Sequence, residues 1–206
     1  AIEKENIEIV KLLLSKEKID ANIPKKINAD GFKLLMNIEE PALFVAVAKG
    51  NNEIIKLLLE NEKVDPNLLK IKNLDGSRDG ECVSLLYEVI EKGNIDVLKI
   101  LLNSKRIDPN IYSYVNTCKH YSMGKTALHF AVEKNNIDVV KILLKSDRID
   151  PNLYTINGQF SNDFCLDQNA KLLNPVKQET ALHIANRLKN TEIAELLLSH
   201  KDIKPN

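Results

Sequence analysis

Tryptophan is absent from the 206 residues, and arginine occurs only at positions 78, 106, 148 and 187. These two residue types dominate most protein-binding hot spots, so a binding surface here has to rely on Tyr, Phe and Leu. Cysteine is scarce: Cys82, Cys118 and Cys165 form no closely spaced pair, which excludes a disulfide framework and fits a reducing compartment. Charge of one sign is missing too, since 29 basic residues balance 29 acidic ones. Zero net charge removes the field that drives nucleic-acid and anionic-membrane binding. No apolar run approaches the ~18 residues of a membrane span; stretches such as Leu57–Leu59 are short and flanked by charge. What the chain does hold is 44% hydrophobic residues, enough apolar surface to offset chain entropy and disfavour disorder. Lys, Asn and Ile supply about a third of it.

The chain repeats itself. Residues 125–152 read KTALHFAVEKNNIDVVKILLKSDRIDPN, and residues 40–67, 83–110 and 179–206 align with them without a gap. Residues 1–22 align with the latter part of the unit. Each full unit predicts two helices: a short one near 126–134, rich in Ala and Leu, and a second near 137–145. The second is apolar at Val139, Val140, Ile142, Leu143 and Leu144, a stripe too wide for a single buried face. Such a helix has to lie between neighbours, as in stacked repeats. Glu53, Asp96, Asp138 and Glu192 fall in the first turn of this helix, where a carboxylate complements the dipole.

These units resemble the ankyrin repeat. The family's TPLHxA opening is matched by Thr126-Ala127-Leu128-His129-Phe130-Ala131 and by Thr180-Ala181-Leu182-His183-Ile184-Ala185, and its closing Asp-x-Asn by Asp65-Pro66-Asn67, Asp108-Pro109-Asn110 and Asp150-Pro151-Asn152. The resemblance implies an all-α solenoid of helix-turn-helix units with extended β-hairpin or loop insertions, read as a single domain over 1–206. Three features depart from the family pattern. The closing asparagines at 22, 67, 110, 152 and 206 step by 45, 43, 42 and 54 residues, against the family's ~33. The stretch after the second helix is one residue longer than the norm and lacks the glycine expected at a helix C-cap. The opening motif also weakens in the middle, to Pro41-Ala42-Leu43-Phe44 and to Ser84-Leu85-Leu86-Tyr87, with Glu88 where an apolar residue is expected.

The extra length lies in four insertions, 23–39, 68–82, 111–124 and 153–178. Each is expected to be a finger longer than the family's hairpin, turning at Asp30-Gly31, Asp75-Gly76, Asp79-Gly80 or Asn157-Gly158. The last is too long for a plain hairpin, and its Cys165–Pro175 stretch suits one helical turn stopped by proline. The insertions hold seven of the ten aromatics: Phe32, Tyr112, Tyr114, Tyr121, Tyr154, Phe160 and Phe164. Either the rings pack finger against finger, or they form a partner-binding surface. Tyr112, Tyr114 and Tyr121 are the ones expected to be most exposed.

No catalytic cluster is legible. Gly124-Lys125-Thr126 looks like the end of a phosphate loop, but that pattern needs glycine at 119, which is Lys119. His129 and His183 occupy the TALH position, where the resemblance implies structural hydrogen bonds within and between repeats. His200 follows a helix end, an ordinary place for a cation. Cys118-Lys119-His120, with Cys165 and Asp163 or Asp167, is the nearest approach to a metal site, and it lacks the tight cysteine pair zinc usually requires.

The sequence therefore points to a binding scaffold without catalysis, cofactor or metal. Its expected partner is another protein, with no nucleic acid and no membrane insertion, and the scaffold itself is expected to be a cytoplasmic monomer. The expected contact residues are Lys49, Glu91, Lys92, Glu133, Lys134 and Arg187 near the ends of the first helices, where the resemblance places a concave binding face, together with Tyr112, Tyr114, Tyr121, Phe160 and Phe164 in the insertions. Two rival readings are a regulatory or anchoring segment of a larger enzyme or channel, and a metal- or redox-sensing loop module using Cys118, His120 and Cys165. The last unit keeps an apolar second helix, and Ala1 aligns with Ala131; both lead to the expectation of a piece cut from a longer array.

Overall fold

The computed structural model describes residues 1–23, 25–28, 37–73, 80–118, 121–160 and 172–204. Two compact units divide at Ile107 and Asp108. The first unit contains α1 (Ile7–Ser15), β1 (Lys25–Asn28), β2 (Asn37–Glu40), α2 (Ala42–Lys49), α3 (Asn52–Glu60), β3 (Lys70–Asn73), β4 (Gly80–Val83), α4 (Leu85–Glu91) and α5 (Ile95–Asn103). The second contains β5 (Ser113–Cys118), β6 (Tyr121–Lys125), α6 (Ala127–Glu133), α7 (Ile137–Leu144), β7 (Tyr154–Phe160), β8 (Leu172–Thr180), α8 (Ala181–Arg187) and α9 (Thr191–Leu198). Helix pairs recur at the expected places. The all-α reading is corrected by the insertions, which are strands: β1/β2, β3/β4, β5/β6 and β7/β8 are antiparallel hairpins. Successive hairpins also pair within each unit, at Glu39↔Ile71 in the first and from Ser122↔Gly158 to Gly124↔Ile156 in the second.

Helix starts are set by asparagine. Asn6, Asn51, Asn94, Asn136 and Asn190 each sit at the N-cap of a second helix, and each side-chain oxygen accepts the amide three residues on, at 3.0–3.1 Å. This satisfies an amide the first turn leaves without an intrahelical partner. The residue just before the cap takes a left-handed conformation, at Gly50 (φ 70°), Gly93 (φ 69°), Asn135 (φ 54°) and, less comfortably, Lys189 (φ 56°). Burial follows the stripe read from the sequence. Ile54, Leu58, Leu98 and Leu101 are at most 1% exposed in the first unit, and Val139, Leu143, Ile193 and Leu197 are fully buried in the second.

A second set of asparagines ties repeat to repeat. In the first unit Asn22 donates to the Lys63 carbonyl (2.7 Å) and accepts from the Asp65 amide (2.6 Å), while Asn67 donates to the Arg106 carbonyl (2.9 Å). In the second, Asn110 donates to the Arg148 carbonyl and accepts from the Asp150 amide, and Asn152 donates to the Asp202 carbonyl and accepts from the Lys204 amide. The closing asparagine of a unit is thus a rung that uses both the donor and the acceptor of one side-chain amide.

Two local expectations are overturned, the second in part. Asn157-Gly158 does not turn; it lies inside β7, where Met123↔Asn157 and Ser122↔Gly158 pair with β6. Of the stretch expected to hold a helical turn, Leu172 to Pro175 is strand, and residues 165–171 lie outside the described residues. Pro175 lacks an amide hydrogen, and it falls where the β7/β8 register shifts between Asn157 and Gln159, so no ladder bond is lost. Asp30-Gly31, Asp75-Gly76 and Asp79 lie outside the described residues.

At Gly124 neighbouring strands approach closely. A Cβ built there would meet Ile156 Cγ1 at 2.7 Å and Tyr114 Cε1 at 2.9 Å. Gly124→Val is therefore expected to destabilise the second unit by about 2 kcal/mol through overpacking, read as a lower urea midpoint. An unchanged midpoint would show that the hairpins separate easily.

Candidate functional site

In the first unit Lys49, Glu91 and Lys92 are exposed at or just past the ends of α2 and α4. Behind them is a charged cluster that the sequence pattern did not reveal. Lys70 Nζ, at the start of β3, is 2.5 Å from Glu40 Oε1 and 3.7 Å from Glu88 Oε1, and it lies 5.9 Å from the centre of the Phe44 ring. Lys92 Nζ reaches Glu88 from the solvent side at 3.1 Å. Glu88 is 4% exposed, so the carboxylate that interrupts the apolar pattern is held inside by two ammonium groups. The only signal in the sequence is the coincidence of an acid at 88 with a lysine opening the preceding hairpin.

In the second unit the ends of the first helices pair with the strand that leads into them. Lys125 Nζ is 2.8 Å from Glu133, and Arg187 grips Glu179 with two bonds of 2.8 and 2.9 Å. The spacing is the same in both repeats and the charges are reversed. Hydrogen bonding from Arg187 holds the Glu179 carboxyl below the usual carboxylate range. Lys134 is exposed, with its ammonium 5.3 Å from the Phe130 ring centre.

The tyrosines expected to be most exposed are half-buried at 112 and 114. Tyr112 donates its hydroxyl to the Tyr154 carbonyl (2.8 Å), and its ring lies 6.3 Å from that of Tyr114. Burial, reinforced by Tyr114 and Asp150, pushes the Tyr112 phenol above its ordinary pKa. Tyr114 in turn covers Gly124. Tyr154 carries Lys177 Nζ 5.4 Å from its ring centre and His183 at 6.4 Å. These four aromatic and imidazole rings are engaged within the fingers and the helix beside them. The side chains of Tyr121 and Phe160, and all of Phe164, lie outside the described residues, as do His120, Cys165 and the Cys118 side chain.

Both TALH histidines cap their own helix. His129 Nδ1 accepts from the Thr126 amide (3.2 Å), and Nε2 donates to the Leu153 carbonyl (2.9 Å) at the start of the following finger. His183 Nδ1 likewise accepts from the Thr180 amide (3.2 Å). His129 is 1% exposed, whereas His183 is exposed.

Helix pairs at this spacing, closed by paired hairpins, are matched in sequence as well. The family model described as ankyrin repeats (3 copies) matches residues 43–155, more than half of the chain, and the ankyrin repeat model matches residues 177–206. The chain belongs to the ankyrin repeat family. A search of curated proteins finds no match. Ankyrin repeats are in general protein-interaction modules and typically non-catalytic. Among the described residues no helix is long and apolar enough to cross a membrane, and no three His, Cys, Asp or Glu side chains group as metal ligands do.

One departure from the family now has a structural reason. After α3 no glycine closes the helix; Asn61 leaves it in an extended conformation. The Arg106 guanidinium takes the place of that cap. It donates to the carbonyls of Leu59 (2.8 Å), Asn61 (2.7 Å), Glu62 (3.2 Å) and Val64. Lys63 stands at the same position one repeat earlier and reaches a single carbonyl, that of Lys16, at 3.3 Å.

Proposed function

We propose that the chain is a scaffold that binds another protein through the exposed ends of its first helices and the fingers beside them, without chemistry of its own. One observation supports this reading most. The caps, the asparagine rungs and the buried stripe repeat, while the side chains at equivalent outer positions do not: Ala48, Glu91, Glu133 and Arg187 share one position, and Lys49, Lys92, Lys134 and Leu188 the next. Variation on a constant frame is how a repeat protein can encode its choice of partner. The charged positions are largely self-compensated, and exposed pairs contribute under ~1 kcal/mol each, so they set orientation and salt dependence. The half-exposed rings of Tyr112 and Tyr114, with Tyr121, supply apolar area and most of the affinity.

Binding to a partner selected from a displayed protein library tests this. Replacing Tyr112, Tyr114 and Tyr121 by serine should weaken binding at least tenfold, about 1.4 kcal/mol, with helical content retained. Tyr112→Phe serves as the control, because it removes only the bond to the Tyr154 carbonyl. If the triple variant binds normally while Glu133→Ala with Lys134→Ala does not, recognition belongs to the helices and the rings only pack the fingers.

A further inference from the structure

In the second unit α7 and α9 leave a groove of about 470 Å³ at their C-terminal ends, lined by Lys141, Leu144, Asp147, Leu196, His200 and Lys201, among others. The turn that follows α7, residues 144–149, is the equivalent of the turn 59–64 that Arg106 fills in the first unit. Leu144, Ser146, Asp147 and Ile149 correspond to Leu59, Asn61, Glu62 and Val64, the four residues whose carbonyls receive the guanidinium. The position that supplies the plug is Lys63 and Arg106 in the first unit, but in the last repeat it is Asp202. An acid cannot donate to carbonyls, and Asp202 is exposed. Among the described residues no side chain donates to the carbonyls of Leu144, Asp147 or Ile149.

We infer that this slot is a receptor for an arginine side chain of a partner protein, which would occupy in trans the place that Arg106 occupies in cis. The inference rests on the reading of the chain as a protein-binding scaffold and adds a second contact on the side of the second helices. Occupant chemistry is set by the molecule's own example: a planar fork matches several converging carbonyls, and a point-charged ammonium does not, as Lys63 illustrates with its one bond. The charges around the slot permit it. Asp202, at the sequence position of the plug, is exposed and puts no cation there. Lys201 is paired with Asp147 at 3.2 Å and Lys141 with Glu192 at 3.4 Å. Lys145 stands where the first unit has Glu60, and it calls for an acidic neighbour beside the incoming arginine, while Leu144 and Leu196 call for an apolar one.

The probe is a capped pentapeptide with a central arginine, leucine on one side and glutamate on the other, titrated into the whole chain and followed by NMR. Saturable shifts should map to the turn 144–149 and to the residues after α9. Replacing the arginine by citrulline, which keeps the shape and loses the charge, should weaken binding at least tenfold. Asp202→Arg should plug the slot in cis, weakening the peptide at least tenfold and raising the thermal midpoint; Lys145→Glu should weaken binding of this peptide, because it sets a carboxylate against the peptide's glutamate. Equal binding of the citrulline peptide, undiminished binding to Asp202→Arg, or no saturable shift in the wild-type chain would overturn the inference. None of these results bears on the tyrosine variants, so a failure here is distinguishable from a failure of the scaffold reading.

Discussion

Arg106→Ala should lower the stability of the first unit by about 3 kcal/mol, a drop in melting temperature on the order of 10 °C. Four carbonyls, one in the last turn of α3 and three after it, converge on one guanidinium, and that helix has no glycine cap to close it by other means. Hydrogen bonds from a charged donor contribute roughly 1.5–3 kcal/mol each. Their sum overstates the loss, because water replaces the bonds at the outer carbonyls once the side chain is gone. Arg106→Lys should recover less than half of the difference, since an ammonium cannot reach all four oxygens from one point. Urea unfolding of the three proteins measures this. An alanine variant within about 1 kcal/mol of the wild type would mean that solvent caps α3 as well as arginine does, and it would remove the basis for the slot in the second unit.

The helical frame was legible in the sequence because it rests on local, repeated signals: the apolar stripe, the acidic first turn and the TALH opening. The devices that replace missing family features were not legible, because each acts between residues about 40 apart. Arg106 reaches back 42 to 47 residues, and the asparagine rungs span 38 to 52. The asparagine enrichment was visible as composition, but only geometry divides it into caps and rungs. Glu88 read as a flaw in an apolar pattern; in the structure it is one member of a cluster whose other acid and central lysine belong to the preceding repeat and hairpin. Asn157-Gly158 misled for a related reason. The dipeptide suits a turn by local rules, yet pairing with β6 on one side and β8 on the other holds it extended. Exposure was easier to read at the ends of the first helices than in the fingers. Helix ends are exposed by the repeat geometry itself, whereas exposure of Tyr112 depends on the Tyr154 carbonyl of another hairpin.

Acidification from pH 6.5 to pH 4 should cost the second unit about 3 kcal/mol through His129 alone. The imidazole is 1% exposed and its pKa is lowered from 6.5 to about 4. Burial is the main cause, opposed by the carbonyls of Leu153 and Glu179 and reinforced by Lys125. Nδ1 is already committed as an acceptor to the Thr126 amide, so a second ring proton would break the cap and set two donors against each other. Between these two pH values the unfolded chain carries a proton on His129 and the folded chain does not. Falling pH therefore favours unfolding across this window. The contribution is fully present above pH 6.5 and fully lost below pH 4. Each pH unit between the two values costs ~1.4 kcal/mol, which brings the loss to about 3 kcal/mol. His129→Gln keeps a donor for the Leu153 carbonyl but has nothing to titrate. It should cost roughly 1–2 kcal/mol at neutral pH through imperfect bonds, leave partner binding unchanged in the folded protein, and flatten the stability profile between pH 4 and 6.5. Carboxylates such as Glu179, whose pKa is lowered, lose their contribution only as pH falls through the bottom of this window and beyond, in both proteins alike. A wild-type profile as flat as that of the glutamine variant would show that the buried imidazole accepts its proton without penalty, through water reaching the space between the first helix and the Leu153 carbonyl.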